Sequence, residues 1–223
     1  MTGVPIKPAA TVVLVRDTDN GIETLLLRRN KQLKFAGGAW VFPGGKVETC
    51  EHEQFDEQDA AKHAAVRECY EEAGVAVEVD ELLPFAHWTT PENMSKRFAT
   101  WFFIARVGDD LNVQIDGSEI HEHQWCLASN AIELHQQGDL TMMPPTVVTL
   151  TELAGANDCA ELFEVYAERS VRPFIPRITY LDEVVCMLYQ GDAGYDACDP
   201  RAEGPRHRLW MEEAGSRYEN TID

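Results

Sequence analysis

The sequence contains no uninterrupted apolar stretch of about 18 residues, and its first residues show no signal-peptide pattern. Since a helix needs roughly 20 apolar residues to cross a bilayer, we expect no membrane span and no membrane partner. No two of the six cysteines form a CxxC pair, which argues against a zinc site or a disulfide framework. These absences together predict a cytoplasmic protein with reduced thiols.

Basic residues are scarce relative to acidic ones: 19 lysines and arginines stand against 38 aspartates and glutamates, and the net charge is −19. Such a charge repels phosphate backbones and anionic lipids, so we expect neither a nucleic-acid duplex nor an anionic membrane as a partner. The 223 residues, 44% of them hydrophobic, are enough for one full domain with an extension or for two small domains.

The most informative stretch is a predicted helix that ends with the residues Arg67-Glu68-Cys69-Tyr70-Glu71-Glu72-Ala73-Gly74. Apolar residues recur upstream with the helical period, which indicates one packed face. Glu68, Glu71 and Glu72 are three and four residues apart, so their carboxylates lie on one side. Like charges at this spacing repel each other, and a divalent cation such as Mg²⁺ or Mn²⁺ would remove that cost. The alternative interpretation is a solvated acidic face.

The predicted helix has signals at both ends and is flanked by strand patterns. Asp56 or Asp59 can cap its start, and Gly74 suits the left-handed residue just after its end. Residues 40–45 predict a short strand followed by a glycine turn, and residues 75–79 predict another strand. The expected order is therefore strand, glycine turn, loop, acidic helix and strand.

These residues resemble the signature box of the Nudix hydrolases, which runs Gly, five residues, Glu, seven residues, Arg-Glu, an apolar residue, any residue, Glu-Glu, any residue, Gly, apolar. The second half of the box matches from Arg67 to Val75. The first half departs, because thirteen residues separate Gly45 from Asp59, which is taken here to replace the first Glu. On this alignment the loop ahead of the helix is longer than usual in the family.

The resemblance implies a Nudix fold of the α/β class (α+β type), with a mixed sheet sandwiched between helices. It places a Nudix domain at residues 8–155 and a C-terminal extension at residues 156–223, which is expected to act as a lid or as the arm of a homodimer. The implied reaction is Mg²⁺- or Mn²⁺-dependent hydrolysis of a pyrophosphate bond. The substrate would be a nucleoside diphosphate linked to another moiety.

A narrower likeness concerns the substrate. The segment from Leu26 to Gly45 looks like the coenzyme A signature of some Nudix enzymes. Three stretches, at residues 35–45, 65–68 and 97–103, are similar to the peroxisomal coenzyme A diphosphatase branch, which also carries an expanded box. The likeness implies coenzyme A or its acyl derivatives as substrate, with 3′,5′-ADP and a phosphopantetheine as products. ADP-ribose, NADH and dinucleoside polyphosphates are the competing substrates.

Site residues follow from the resemblance and from local charge. Glu68, Glu71 and Glu72 would hold the metal, and Glu72 would also serve catalysis. Arg67 would brace the box through a carboxylate such as Asp59. An extra acid is expected near the metals as candidate general base, either Glu119, six residues before Trp125, or Glu122.

Substrate contacts are expected from a basic island, from the glycine turn and from an aromatic residue. The island lies between Glu23 and Glu48 and contains no acid, although ordinary loop residues are the alternative interpretation. Trp88 and Trp101 stack on an adenine or belong to the core. Arg97 contacts substrate or pairs with an acid. The substrate-binding candidates are Arg28, Arg29, Lys34, Gly44, Gly45, Trp88 and Arg97.

Two other function classes remain open from the sequence. A nucleotide-sensing domain would bind without turnover, and it would be expected to lack the metal carboxylates. A structural interaction protein would expose the acidic helix to solvent, and substitutions Glu71→Gln and Glu72→Gln would then be neutral or stabilising. Outside the box, further elements are predicted at residues 10–16, 22–27, 82–88, 97–107, 128–137, 144–153, 158–168, 184–189 and 207–211. The first two and the last two of these are each expected to form a hairpin. The strand at residues 97–107 is apolar almost throughout and is expected to be buried on both faces.

Overall fold

The computed structural model describes residues 4–34, 36–213 and 215–222. Phe35, which begins one of the coenzyme A-like stretches, lies outside the described residues. The helices are α1 Thr49–Gln54, α2 Glu57–Ala73, α3 Ala128–Gln136, α4 Pro144–Ala154 and α5 Cys159–Glu168. The strands are β1 Ile6–Thr18, β2 Gly21–Arg29, β3 Trp40–Val41, β4 Gly44–Lys46, β5 Leu83–Thr89, β6 Arg97–Arg106, β7 Ile120–Leu127, β8 Arg172–Phe174, β9 Arg177–Leu181, β10 Val184–Leu188, β11 His207–Glu212 and β12 Gly215–Asn220.

The main sheet has eight strands in the order β3-β2-β1-β6-β5-β8, with β4 paired to β1 and β7 paired to β2. β1 runs antiparallel to β2 and parallel to β6, so the sheet is mixed, as predicted. Successive residues of a strand face opposite sides. Val12 and Leu14 therefore pack with residues of α2, whereas Val13 and Val15 pack with residues of α3, α4 and α5. The sheet lies between two helical layers.

Helix α2 is the predicted acidic helix, and its ends match the sequence signals. Asp56 is the N-cap, and its side chain accepts a hydrogen bond from the Asp59 N–H at 3.0 Å. Gly74 has φ 67°, a left-handed conformation that glycine adopts without a Cβ clash, and its N–H donates to the Tyr70 carbonyl. Four buried alanines line the side that packs on the sheet: Ala60, Ala61, Ala64 and Ala65. Their small size brings the helix backbone close to β1.

Two details of the predicted strands are wrong. Residues 75–78 belong to no strand, and residues Val79–Glu81 form one turn of 3-10 helix. Val75 and Val77 are buried against the α2 face of the sheet, which explains the alternating pattern, but they pair with no strand. The prediction that strand β6 is buried on both faces holds only for residues 102–105, because the first half of the strand is partly exposed.

The C-terminal residues build on the other face of the main sheet. Helix α5 begins where the Cys159 N–H donates to Asp17 Oδ1 at 2.7 Å, and β8 joins the main sheet beside β5. The predicted hairpin of residues 184–189 and 207–211 is confirmed as β10 and β11 in a second, four-stranded antiparallel sheet. The boundary after residue 155 stays a prediction. Within the described residues, no helix has the length and apolar content needed to cross a membrane.

Candidate active site

The glycine turn brings the carboxylates of α2 against the sheet. Strand β4 pairs with β1 so that Gly44 lies beside Thr11. The Gly44 N–H donates to Glu72 Oε2 at 3.0 Å. A Cβ on Gly45 would overlap the carboxylate of Glu68 in its present position, so a larger residue would displace that side chain. Both glycines therefore contact the predicted metal carboxylates, and no substrate is needed to explain why small residues stand here.

The partner of Arg67 is Glu51, not Asp59 as predicted. Arg67 Nε donates to Glu51 Oε1 at 3.1 Å, and Glu51 is only 9% exposed. Its other oxygen accepts a hydrogen bond from the Glu48 N–H at 2.7 Å. Five residues separate Gly45 from Glu51, which is the spacing that the Nudix box requires. The first part of the box, from Gly45 to Glu51, therefore has the usual length. The additional residues lie between Glu51 and Arg67, in α1 and the first turns of α2.

Arg67 connects several parts of this site. Its Nη1 donates to Glu68 Oε1 at 2.8 Å and to Glu71 Oε2 at 3.3 Å, while Nη2 donates to the Lys46 carbonyl at 2.9 Å. Burial works to lower the pKa of Arg67, but hydrogen bonds to Glu51 and Glu68 outweigh it and raise the pKa. Burial raises the pKa of Glu68, against the opposing effect of its bond to Arg67.

Glu119 lies at the same site although it is remote in sequence. Arg29 Nη2 donates to Glu119 Oε2 at 3.1 Å, and Arg29 Nη1 lies 3.8 Å from Glu72 Oε1. Burial raises the pKa of Glu72 to about 7, and the negative charges of Glu68 and Glu119 add to the rise. The hydrogen bond from Gly44 and the charge of Arg29 oppose it. Arg29 contacts both Glu72 and Glu119, and the charges of Glu68 and Glu119 act on Glu72, so these side chains lie near one another; the group is called the cleft below.

The donor chemistry of this cleft fits a hard divalent cation. Glu68, Glu71 and Glu72 offer carboxylate oxygens, which are the ligands that Mg²⁺ prefers. In the conformation of the described residues, no three side chains of the metal-binding types converge closely enough to hold an ion. Arg67 instead contacts Glu68 and Glu71, and Arg29 faces Glu72. Binding an ion would therefore require carboxylates to turn from the arginines.

Several predicted substrate-binding residues lie elsewhere. Arg28 points to the opposite face of the sheet from Arg29, where it pairs with Glu122 at 2.8 Å and lies over the Trp40 ring. Lys34 is exposed in the loop after β2. The cleft therefore unites Arg29 with the glycine turn and the carboxylates, while Arg28 and Lys34 contact none of them among the described residues.

Trp88 and Arg97 are also removed from the carboxylates. Trp88 is 5% exposed and stacks on Phe174 with ring centroids 4.0 Å apart, so its faces are covered in the core. The Arg97 Nε donates to the Thr90 carbonyl at 3.2 Å. Arg97 pairs with Ile6, four residues along β1 from the partner of Gly45, which corresponds to roughly 13 Å.

Comparisons with known proteins agree with this geometry. A family model described as NUDIX domain matches residues 5–144. A Caenorhabditis elegans protein named "Putative nudix hydrolase 7" is 26% identical over 226 residues, which cover 85% of this chain and 74% of that protein. The crystal structure of a NUDIX hydrolase from Alicyclobacillus acidocaldarius superimposes with a TM-score of 0.66 at 23% identity, covering 75% of this chain and 98% of that one.

The NUDIX domain of Shewanella oneidensis NrtR, solved as a complex with ADP ribose, has a TM-score of 0.50 at 14% identity, covering 66% of this chain and 86% of that one. These solved structures support the predicted fold, with its mixed sheet and helices and additional C-terminal strands. The family model covers more than half of the chain. The chain therefore belongs to the NUDIX domain family and is a Nudix hydrolase.

Proposed function

We propose that this Nudix pyrophosphohydrolase uses Mg²⁺ or Mn²⁺ to hydrolyse a nucleoside diphosphate linked to another moiety, with coenzyme A or its acyl derivatives as the favoured substrate. The observation that carries the proposal is that Arg29 contacts both Glu72 and Glu119, while Glu72 and Glu68 lie against the glycine turn. The mutual repulsion of such carboxylates is costly for folding alone and is expected where cations and phosphates bind.

Glu68, Glu71 and Glu72 would hold the metal. When bound, a divalent cation supplies charge neutralisation for a pyrophosphate and lowers the pKa of a coordinated water. The chain supplies positioning: the Gly44 N–H orients Glu72, and Arg67 holds Glu68 and Glu71 until a bound ion takes its place. These contacts fix the carboxylates on the α2 face next to β4.

Glu119 is the proposed general base. Its carboxylate is more than half exposed and accepts a hydrogen bond from Arg29, so it is open to the water that would attack phosphorus. Arg29 lies between Glu119 and Glu72, and its guanidinium suits a phosphate oxygen of the substrate. Glu119 would take a proton from the water, and Arg29 would bind the anion that the water attacks.

The coenzyme A preference is supported by two features of the chain. The residues from Leu26 to Gly45 and from Arg97 to Phe103 resemble the coenzyme A branch, and the box is expanded, as in that branch. The additional residues lie between Glu51 and Arg67, in α1 and the first turns of α2, and Glu51 contacts Arg67 beside the carboxylates. We propose that these residues contact the long arm of the substrate. ADP-ribose, NADH and dinucleoside polyphosphates remain the competing substrates.

Residues 8–155 are proposed as the catalytic domain and residues 156–223 as an extension that serves a homodimer rather than a lid. The extension packs on the face of the sheet opposite α2: Phe174, Tyr189 and Leu209 share a cluster with residues of α3 and α4. The carboxylates lie on the α2 face. An element on the far face is poorly placed to close over them, which favours a role in association over a lid. The cytoplasm is the proposed location of the protein.

The experiment is a product analysis with the purified protein. Coenzyme A, ADP-ribose, NADH and diadenosine polyphosphates are each incubated with Mg²⁺, with Mn²⁺ or with EDTA, and products are identified by mass. We expect 3′,5′-ADP and phosphopantetheine from coenzyme A, formed only with the metal. Cleavage of another compound alone would reassign the substrate, and tight nucleotide binding without any cleavage would favour a sensing domain.

A further inference from the structure

Glu119 stands at the end of a long segment without regular structure. Residues 107–119 form neither helix nor strand, and β7 begins at the next residue, Ile120. The carboxylate of Glu119 is itself largely exposed. A side chain so placed samples many positions unless its backbone is fixed by neighbouring groups. The groups that fix it therefore control whether it faces Glu72.

Asp116 is one of those groups. Its Oδ2 accepts hydrogen bonds from the N–H groups of Ser118 at 3.0 Å and Glu119 at 2.8 Å. Its Oδ1 accepts from the Ile120 N–H at 2.9 Å, and the Ser118 hydroxyl also donates to the carboxylate. One carboxylate thus receives three successive amides, and the middle amide belongs to Glu119. Burial works to raise the pKa of Asp116, but these hydrogen bonds outweigh it and lower the pKa.

The other side of the segment is held by Asn30, the residue that follows β2. The Asn30 N–H donates to the Glu119 carbonyl at 2.7 Å, and Asn30 Nδ2 donates to the Ser118 carbonyl at 3.1 Å. A register shift follows between Arg28 and Arg29, so that Arg29 pairs with Ile120, which is fully buried. Bulges of this kind re-aim side chains near active sites. The N–H and the C=O of Glu119 are both bonded, which leaves its side chain directed at Arg29.

We propose that Asp116 is a positioning residue, which holds Glu119 in the carboxylate cleft by binding its amide and the amides on either side. The inference rests on the proposed function, since it concerns the candidate base of that reaction. Asp116 touches neither Arg29 nor the α2 carboxylates among the described contacts, so it acts through the backbone of Glu119.

The first test does not depend on turnover. Amide hydrogen exchange of residues 118–120 is measured in the full-length wild type, in Asp116→Ala and in Asp110→Ala. The last variant removes an exposed carboxylate from the same segment. We expect exchange at these amides to become roughly fivefold faster in Asp116→Ala, as for a lost capping carboxylate, and to be unchanged in Asp110→Ala. Unchanged exchange in Asp116→Ala overturns the proposal.

The second test separates positioning from general stability. With the cleaved substrate, we expect Asp116→Ala to lower kcat roughly fivefold at unchanged KM, and Asp116→Asn, which keeps one acceptor oxygen, to lower it less. In a Glu119→Gln background the further substitution Asp116→Ala should cost nothing more, because both act through one group. The proposal is overturned if Asp116→Ala lowers kcat equally in both backgrounds, or if Glu119→Gln leaves kcat unchanged. Absence of any wild-type turnover would refute the proposed function, and amide exchange would still decide whether Asp116 anchors Glu119.

Discussion

Arg67 and Glu51 form a partly buried ion pair in which Nε donates to Oε1 at 3.1 Å and Nη2 lies 3.5 Å from Oε2. The pair links α1 to α2 across the additional residues of the box. Through the same guanidinium, Glu51 is connected to Glu68 and Glu71. The first glutamate of the box is therefore a support for the carboxylates, although it does not enter the cleft.

Replacement of Glu51 by Gln should lower both stability and activity. The change removes the charge that compensates Arg67, and we expect the free energy of unfolding to fall by about 1–3 kcal/mol. The matched control is Asp59→Asn, an exposed residue of the same helical region, for which a change within about 0.5 kcal/mol is expected. Urea denaturation of the two variants measures the free energy of unfolding of each. The reverse order, with Asp59→Asn the more costly change, would return the box to the alignment drawn from the sequence alone.

Glu72 should make the metal-free protein less stable as the pH rises. Its pKa is 4.5 as a free carboxyl and about 7 when buried in the folded chain. An acid with a raised folded pKa stabilises the fold below the unfolded pKa, and that contribution is lost as the pH rises through the folded pKa. In EDTA, we expect the free energy of unfolding of the wild type to fall by about 3 kcal/mol more than that of Glu72→Gln between roughly pH 4.5 and pH 8. Parallel denaturation profiles of the two proteins across this window would contradict the assignment.

Trp88 should behave as a core residue. Because its ring stacks on Phe174, Trp88→Ala is expected to lower the free energy of unfolding by about 3–5 kcal/mol. Trp88→Phe keeps an aromatic ring in the stack and should leave KM unchanged. A large rise of KM in Trp88→Phe, at unaltered stability, would show instead that this residue binds the base of the substrate.

The second sheet should depend on one buried ion pair. Asp192 accepts hydrogen bonds from Arg208 Nε at 2.7 Å and Nη2 at 2.6 Å, and both side chains are almost fully buried. Asp192→Asn leaves the guanidinium without its charge partner, so we expect the free energy of unfolding to fall by about 3–5 kcal/mol. We also expect proteases to cleave the variant within residues 190–206. Asp196→Asn, an exposed change in the same loop, is the control. Equal protease resistance of the two variants would refute the role of the pair.

Local patterns were sufficient to predict α2 and its surroundings. The spacing of Glu68, Glu71 and Glu72, the αL signal at Gly74 and the β1–β2 hairpin all arise within a few residues of sequence. The alternation at residues 75–79 misled because burial alone produces the pattern of a strand, and pairing depends on a neighbour that is absent among the described strands.

Contacts between distant residues set the limit of prediction. The partner of Arg67 lies sixteen residues upstream, whereas the prediction named Asp59. The five-residue spacing between Gly45 and Glu51 was a sequence signal for Glu51, and the folded chain brings that residue to the guanidinium. The fate of Trp88 depends on Phe174, in a strand that joins the sheet much later in the chain. In both cases the sequence contains the residue types, and the tertiary packing selects the pair.

The central claim is that the α2 carboxylates hold a divalent cation for pyrophosphate hydrolysis. It is tested most directly by titrating Mg²⁺ into wild type, Glu71→Gln and the exposed control Glu133→Gln while product release is measured. Glu71 is largely exposed, so the fold should survive its replacement. We predict no turnover of wild type in EDTA, at least roughly tenfold weaker turnover in Glu71→Gln and an unchanged control. Metal-independent turnover, or identical Mg²⁺ dependence of all three proteins, would contradict the account.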